Sequence, residues 1–435
     1  MALRQEIRAP GSERRVVSNI AKGSIGNLIE WYDWYAYTAF SIYFAATFFP
    51  AGDQTAQWLN TAAVFAVGFL MRPLGGWLLG RFADQFGRRR ALTLSVTLMA
   101  LGSLMIALTP GYETIGVLAP IVLVLARLLQ GLSVGGEYAT SATYLSEMAS
   151  SGKRGFYSSF QYVTLTAGQL TALGLQIVLQ QVLSEQQMAS WGWRIAFAVG
   201  ALGALVVMRL RRTMDESASF ERESADGAKS RGTLRALLRH PKACLVVVGL
   251  TIGGTVAFYT YTTYLQKFMV NTSGIPKGTV AWINFLALVL FVVIQPVAGA
   301  LSDRVGRRPL LIGFGLLGAL LTVPLMTILA GTSDPVGAFA VMVVLLVIVT
   351  GYTSISAIVK AELFPTGIRA LGVGLPYALT VAIFGGTTEL VALSLKQAGH
   401  ETLFFYYVAG CVLVSLVVYF VMGETSDDSP LEERD

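Results

Sequence analysis

Gly80-Arg81-Phe82-Ala83-Asp84-Gln85-Phe86-Gly87-Arg88-Arg89-Arg90 is a short, strongly charged stretch that lies between two long apolar runs. A related stretch, Gly299-Ala300-Leu301-Ser302-Asp303-Arg304-Val305-Gly306-Arg307-Arg308-Pro309, recurs in the second part of the chain, again between apolar runs. A charged turn that is repeated once per half indicates two homologous halves. Two membrane-embedded halves related by an internal repeat are the architecture of a carrier.

The composition of the chain is that of a protein surrounded by lipid. Of its 435 residues, 54% are hydrophobic and only 13% are charged, whereas soluble domains carry about 25% charged residues. About twelve apolar runs approach the 20 residues that are needed to cross a hydrocarbon core. The sequence therefore predicts an all-α membrane protein with twelve transmembrane helices in two pseudo-symmetric six-helix bundles.

The distribution of Lys and Arg predicts the orientation of the chain. The loops around 50–57, 109–116 and 183–190 contain neither residue, while the alternate segments and the central loop are basic. Basic loops are typical of the cytoplasmic side. We therefore expect a multi-pass protein of the bacterial inner (plasma) membrane, with both termini in the cytoplasm. The net charge of +6 then reflects topology, and we expect no nucleic-acid partner.

Changes in composition divide the chain into two predicted bundles, a linker and two cytoplasmic tails. The predicted limits are 1–18 for the first tail, 19–210 and 241–422 for the six-helix bundles, 211–240 for the cytoplasmic linker, and 423–435 for the second tail. The sequence shows no phosphate-binding loop, no metal-ligand spacing and no nucleophile motif. We therefore expect a monomeric protein without enzymatic activity, cofactor or metal site.

Ionisable side chains inside the apolar runs are the candidate functional residues. Each costs on the order of 2.5–3.5 kcal/mol on insertion scales, and such residues usually face a water-filled cavity or a partner. In the first span, Glu30 and Asp33 fall on one helical stripe. Counting residues from the charged loop places Arg72 at about the same depth. We expect Arg72 to face Glu30 or Asp33 across the first half.

The duplicated Gly-x-x-x-Asp-x-x-Gly-Arg-Arg loop resembles the hallmark of the major facilitator superfamily. Three further stretches are similar to its metabolite:proton symporter branch, namely Asn27–Tyr35, Gly68–Gly76 and Arg127–Tyr138. The resemblance implies alternating access and the proton-coupled uptake of a small organic anion, with α-ketoglutarate or a similar dicarboxylate as the expected substrate. Alternatives are the symport of citrate, of a dicarboxylic amino-acid relative or of an aromatic acid, or a membrane sensor that binds such acids without moving them.

A dicarboxylate needs at least one guanidinium, because arginine stays charged and offers two parallel donors to a carboxylate. Arg72 is our first candidate and Arg127 the second. The other predicted binding residues are Gln161, Tyr162, Arg194, Tyr259, Gln266, Tyr352 and Tyr377. For each of these residues, packing or helix pairing is the alternative interpretation.

Proton coupling needs a group that takes up a proton and releases it. Carboxylates in a poorly hydrated cavity can do so, and the candidates are Asp33, Glu30 and Glu137. We hypothesise that a substrate carboxylate competes with Asp33 for Arg72. The arrival of substrate would then free the acid to take up a proton, and both would cross together.

A second repeated pair of charges accompanies the duplicated loop. In each half, a glutamate precedes an arginine by seven residues after the fourth span, as Glu147 with Arg154 and as Glu362 with Arg369. The family resemblance implies that these clusters hold the halves together on the cytoplasmic side and separate as the carrier opens inward. The expected gate residues are Asp84, Arg88, Glu147, Arg154, Asp303, Arg307, Glu362 and Arg369. The alternative is a topological anchor beside a tight glycine turn.

Overall fold

A computed structural model describes residues 10–50, 54–86, 88–148, 152–212, 234–365 and 368–426. We number the long helices of these residues in chain order. The first half contains α1 (Pro10–Phe48), α2 (Gln54–Phe86), α3 (Arg88–Leu108), α4 (Leu118–Met148), α5 (Arg154–Val182) and α6 (Trp193–Arg212). The second half contains α7 (Pro241–Asn271), α8 (Lys277–Val305), α9 (Arg308–Ala330), α10 (Pro335–Glu362), α11 (Arg369–Thr380, continued by Val381–Gly385 and Gly386–Gln397) and α12 (Glu401–Val421).

The all-α class predicted from the composition is confirmed. Ten helices within the described residues are long and apolar enough to cross a membrane. Helix α3 contributes a shorter apolar segment, Thr93–Leu108, and α1 carries Glu30 and Asp33 among its aromatic residues. Helix α1 begins at Pro10, inside the predicted tail, because proline is favoured in the first turn of a helix.

The described helices pack extensively both within each half and between the halves. In the first half, α2 packs along α4, α3 along α6, and α1 along α5; in the second half, α9 and α7 pack against α12, and α8 and α9 against α10. The halves meet chiefly where α5 lies along α8 and where α2 lies along α11. The space between the halves is therefore bordered by helices of both.

Glycines permit the close crossing of α2 and α4, because small residues let helix backbones approach each other. A Cβ atom on Gly131 would lie 2.0 Å from the carbonyl oxygen of Gly68, and one on Gly135 would lie 2.1 Å from the carbonyl oxygen of Arg72. A Cβ on Gly75 would meet the α4 backbone at a similar distance of 2.2 Å. Backbone atoms cannot move aside cheaply, so this crossing fixes the position from which the Arg72 side chain starts.

The substitution Gly131→Val is expected to destabilise the protein by separating α2 from α4. Overpacking of a close contact costs about 1–3 kcal/mol, which should lower the melting temperature of the detergent-purified protein. Gly313→Val on α9 is the matched control, because a Cβ at Gly313 meets nothing within 4 Å. Equal melting curves for the two variants would contradict the close crossing.

Three helices of the second half are interrupted along their length. A π-helical turn covers Thr260–Tyr264 in α7 and another covers Val381–Gly385 in α11. Helix α10 consists of Pro335–Thr353 and Ser356–Glu362, joined by a short turn. Such irregularities free backbone groups and are frequent at functional sites and hinges. Here Tyr259 stands just before the π-helical turn of α7 and Tyr377 stands shortly before that of α11, and both rings contact aromatic side chains of the first half.

Candidate functional site

A small cavity lies between the two halves. It is lined by α1, α2 and α4 of the first half and by α11 of the second, through Trp31, Arg72, Val134, Gly135, Tyr138, Gly374, Tyr377, Ala378 and Val381. It has room for about one water molecule. The structure therefore shows this cavity in a closed form.

Contacts between the halves close the cavity on both sides. We call the side on which α8 ends and α9 begins the loop side. On the opposite side, Gln169 Nε2 donates to the carbonyl oxygen of Thr262 at 2.6 Å, and Gln266 Nε2 donates to Gln176 Oε1 at 3.2 Å. On the loop side, Ser158 Oγ of α5 accepts a hydrogen bond from a backbone N–H of α10 at 3.0 Å.

Arg72 is a buried cation on the wall of this cavity. Its guanidinium carbon lies 3.8 Å from the ring centre of Phe69, 4.2 Å from that of Trp34 and 5.4 Å from that of Trp31. Nη1 donates to the Tyr259 hydroxyl at 3.5 Å, whereas Nε and Nη2 have no hydrogen-bond partner within the described residues. Buried donors without partners are costly, and two adjacent guanidinium donors match the geometry of a carboxylate. Arg72 is thus equipped to bind an anion.

Arg127 lies deeper in the first half and does not line the cavity. Its guanidinium carbon is 4.0 Å from the ring centre of Trp34 and 4.4 Å from that of Tyr37. Nη1 donates to Gln130 Oε1 at 2.7 Å. The guanidinium groups of Arg72 and Arg127 therefore both lie over the ring of Trp34, which places two positive charges close to each other in the first half.

Asp33 is fully buried and is connected to Arg127 rather than to Arg72. Its Oδ2 accepts a hydrogen bond from Gln130 Nε2 at 2.6 Å, and its Oδ1 accepts one from the Ser103 hydroxyl. The expected contact between Arg72 and Asp33 is corrected by the structure, since Gln130 connects Asp33 to Arg127 instead. Counting residues gave comparable depths in the membrane, but it did not give the rotation of each helix.

Gln130 is a functional candidate that the sequence reasoning did not select. It follows Arg127 by three residues on α4, and this spacing puts both side chains on one helical face. That spacing is the signal that could have identified it. The other predicted acids, Glu30 on α1 and Glu137 on α4, are also buried, with 2% and 7% of their surface exposed.

Four of the predicted tyrosines lie in an aromatic group at the centre of the protein. Tyr377 stacks on Tyr138 of α4, with ring centres 4.0 Å apart and an angle of 14° between the rings. Tyr259 contacts Arg72 as described above. Tyr162 of α5 and Tyr352 of α10 are also buried, and the Tyr162 ring packs edge-on against Phe258 of α7.

The remaining predicted binding residues do not line the cavity. Gln161 is buried on α5, and Gln266 joins the halves on the side opposite the loop side. Arg194 donates through Nη1 to the carbonyl oxygens of Ala107 and Thr109, at 2.8 Å and 2.7 Å. Arg194 thus satisfies carbonyl groups at the end of α3, which a helix leaves without internal partners.

Lys360 on α10 is a buried cation that the sequence reasoning missed. Its Nζ donates to Ser356 Oγ at 2.8 Å and to the Tyr138 hydroxyl at 3.4 Å, and it lies 3.9 Å from the ring centre of Tyr377. In the sequence it stands at the end of a long apolar run, where a lysine resembles an interfacial residue. The composition of the segment carries no signal that its side chain turns inward.

The loop side is closed by the second copy of the repeated charged loop. The Asp303 carboxylate accepts hydrogen bonds from the backbone N–H groups of Gly155 and Phe156, at 2.7 Å and 2.9 Å. These groups form the positive N-terminal end of α5, in the other half. Arg307 Nη1 pairs with Asp303 at 2.8 Å, and Arg307 Nη2 pairs with Glu362 at 3.5 Å.

Some of the other predicted gate residues lie around this cluster, and the side chains of the rest are not described by the structure. Arg154 is buried at the start of α5. Glu362 also accepts a hydrogen bond from Thr425 at 2.6 Å. Arg369 donates through Nε to two backbone carbonyl groups at the end of α10. The structure does not describe the side chains of Asp84, Arg88 and Glu147.

The chemistry that this arrangement supports is the binding of anions and protons. Arg72 borders the cavity, Lys360 of the other half contacts the Tyr138 and Tyr377 rings that line it, and Asp33 is a buried acid that Gln130 connects to Arg127. Within the part of the chain that the structure describes, no group of three or more His, Cys, Asp or Glu side chains could hold a metal ion.

Three comparisons with known proteins point to the same family. The model of the Major Facilitator Superfamily matches residues 23–375 and 256–435. The chain is 52% identical over 409 residues to the alpha-ketoglutarate permease of Escherichia coli (strain K12), with 94% of each chain covered, and 34% identical over 383 residues to a citrate-proton symporter of Klebsiella pneumoniae, with 88% and 86% covered. The xylose transporter XylE from E. coli, solved in a partially occluded inward open conformation, has the same fold, with a TM-score of 0.74 at 18% identity over 94% of this chain and 98% of that one. This chain belongs to the Major Facilitator Superfamily.

Proposed function

We propose that this protein is a secondary active transporter that takes up α-ketoglutarate, or a similar dicarboxylate, together with protons by alternating access. The observation that carries the proposal is Arg72, a buried guanidinium with two unpaired nitrogens on the wall of a cavity between the halves. The 52% identity to an alpha-ketoglutarate permease supports the substrate class. The relationship to a citrate-proton symporter supports the coupling ion.

Substrate binding would begin with a carboxylate at Arg72. The rings of Trp31, Trp34 and Phe69 surround the guanidinium and exclude water, so an ion pair formed there is screened less than one in solution. In the closed form the cavity has no room for a dicarboxylate. Substrate therefore enters only after the halves have separated on one side, as alternating access requires.

Proton coupling would follow from the balance of charges in the first half. When Asp33 is ionised, its negative charge offsets Arg127 through Gln130. When Asp33 is protonated, Arg72 and Arg127 leave two positive charges around Trp34, which favours a dianion in the cavity. By linkage, a dianion that binds more tightly to the protonated form also favours proton uptake. This proposal replaces direct competition between substrate and Asp33 for Arg72.

The loop side would be the cytoplasmic side, and the Asp303 cluster its gate. The basic loops of the sequence support this orientation, with both termini in the cytoplasm and the chain in the inner membrane of a bacterium. The protein would act as a monomer, in which the bundles of residues 19–210 and 241–422 move relative to each other around the cavity as two rigid bodies. The contacts of Asp303 with the start of α5 must break whenever the cytoplasmic side opens.

The substitution Asp303→Asn is expected to favour opening of the loop side. Asparagine keeps one acceptor oxygen but loses the charge that binds the N-terminus of α5 and Arg307, and a hydrogen bond to a charged group is worth about 1.5–3 kcal/mol. Labelling of a Ser158→Cys reporter by a membrane-impermeant thiol reagent should become about tenfold faster or more. Both native cysteines, Cys244 and Cys411, are free thiols and would first be replaced by serine.

The control for this measurement is Asp334→Asn. Asp334 caps the start of α10 on the side opposite the loop side, through the backbone N–H of Gly337 at 2.7 Å. Its loss should leave the labelling rate of the reporter unchanged. If Asp303→Asn also leaves that rate unchanged, the Asp303 cluster does not act as a gate.

The experiment that tests the transport function uses purified protein in liposomes, radiolabelled α-ketoglutarate and an imposed pH gradient. Uptake that is driven by the gradient and abolished by a protonophore is the expected result. Uptake without dependence on the gradient would indicate a facilitator, and tight binding without uptake would indicate a sensor. Stronger competition by unlabelled citrate than by unlabelled α-ketoglutarate would assign the protein to the citrate class.

A further inference from the structure

Lys360 has no counter-ion among the residues that the structure describes. It is 0% exposed, and its ammonium group donates only to the hydroxyls of Ser356 and Tyr138. Another buried lysine of the same half, Lys267, forms an ion pair with Glu389. Because a charge in the membrane interior is costly unless something compensates it, the unmatched ammonium of Lys360 points to a ligand that supplies negative charge.

The side chain of Lys360 is directed toward the cavity rather than toward the loop side. Its Nζ reaches back to Ser356, one helical turn earlier in α10, as helical side chains lean toward the N-terminus of their helix. Helix α10 ends on the loop side at Glu362, which contacts Arg307 there. The ammonium group therefore lies between the gate cluster and the cavity.

The Tyr138–Tyr377 stack separates Lys360 from the cavity. Both rings line the cavity together with Arg72, and Lys360 Nζ lies 3.9 Å from the centre of the Tyr377 ring and 5.6 Å from that of Tyr138. Tyr138 belongs to α4 in the first half and Tyr377 to α11 in the second half. Separation of the halves on the loop side would therefore part the two rings and expose the ammonium group to the cavity.

We propose that Lys360 is the second anion-binding residue of the transport site and contacts one carboxylate of a dicarboxylate whose other carboxylate is held by Arg72. The inference rests on the proposed function and explains why the transporter would prefer a substrate with two carboxylates. A dianion held by Arg72 of the first half and Lys360 of the second connects the halves, whereas a monocarboxylate can satisfy only one of these cations. Lys360 thus makes the second half part of the substrate site.

The experiment compares a dicarboxylate with a monocarboxylate of the same chain length. Binding of α-ketoglutarate and of 2-oxopentanoate to the purified full-length protein is measured by calorimetry for the wild type, Lys360→Met and Lys360→Arg. Removal of one partner of a buried charge pair should weaken α-ketoglutarate binding by about 100-fold in Lys360→Met. Binding of 2-oxopentanoate, which needs only Arg72, should remain close to that of the wild type. Lys360→Arg keeps the charge and should keep the preference for the dicarboxylate.

The outcomes separate this inference from the proposed function. Lys396→Met is the control lysine, since Lys396 pairs with Glu401 at 3.2 Å on the side opposite the loop side, and it should leave both affinities unchanged. An equal loss of affinity for both ligands in Lys360→Met would indicate a structural role and overturn the inference. Unchanged affinity for α-ketoglutarate would also overturn it. Failure of the wild type to bind α-ketoglutarate would overturn the proposed function itself. If Lys360→Met does not fold, loss of the dicarboxylate preference in Lys360→Arg would overturn the inference.

Discussion

Replacement of Arg72 by methionine is expected to reduce the uptake of α-ketoglutarate by about 100-fold or more, because it removes one partner of a buried charge pair. The methionine side chain fills much of the same volume between Phe69 and Trp34, so the aromatic wall of the cavity stays packed. What disappears is the pair of guanidinium nitrogens that have no hydrogen-bond partner within the described residues. Arg72→Lys should also be impaired, since a lysine keeps the charge but cannot offer two parallel donors to a carboxylate.

Uptake by proteoliposomes and binding by calorimetry are both needed to test this expectation. Loss of binding and of uptake together would place Arg72 in the substrate site, whereas loss of uptake with intact binding would place it in the conformational cycle. The matched control is Arg239→Met, because Arg239 is exposed just before α7 and should leave uptake unchanged. Uptake by Arg72→Met at the rate of the wild type would contradict the proposed site.

The fold could be predicted from the sequence because it depends on features that are local in the chain. Apolar runs of sufficient length, the repeated charged loop and the basic segments each follow from composition and spacing. The close crossing of α2 and α4 was also predictable, since Gly131 and Gly135 lie four residues apart on one helical face. The ends of helices were less predictable, and α1 begins at Pro10 inside the predicted tail, where a proline fits the first turn of a helix.

The site could be predicted only in part because it depends on helix rotation and on contacts between the halves. Residue counting gave the depth of Arg72 and Asp33, yet Gln130 joins Asp33 to Arg127. Lys360 was missed because its side chain turns inward from the end of a span. Both errors have the same physical origin, since the azimuth of each helix is fixed by its packing partners in three dimensions.

Replacement of Asp33 by asparagine is expected to uncouple substrate from protons while preserving substrate binding. Asparagine is nearly the same size and can keep hydrogen bonds to Ser103 and Gln130, but it cannot exchange a proton. It resembles the protonated form of Asp33, which no longer offsets the charge of Arg127. We therefore expect α-ketoglutarate binding that is at least as tight as in the wild type and that no longer depends on the proton concentration.

Two transport assays distinguish this uncoupling from a general loss of function. With the membrane potential held at zero, a pH difference of one unit supplies about 1.4 kcal/mol per proton, enough to sustain about a tenfold substrate gradient. Asp33→Asn should accumulate no substrate under these conditions, yet it should exchange radiolabelled for unlabelled α-ketoglutarate across the membrane. Gly200 of α6 lies directly against Asp33, where a Cβ would come within 2.3 Å of Oδ1, and α6 itself carries no acid that could replace Asp33.

Glu30→Gln provides the comparison that assigns the proton to one acid. Glu30 is buried on the same helix, less than one turn from Asp33, and the same substitution of an amide for an acid can be made there. If Asp33 carries the proton, Glu30→Gln retains gradient-driven accumulation. Loss of accumulation in Glu30→Gln with retained accumulation in Asp33→Asn would show that the charge balance proposed around Arg127 is wrong. In that case protonation of Asp33 would not be the event that prepares Arg72 and Arg127 for the dianion.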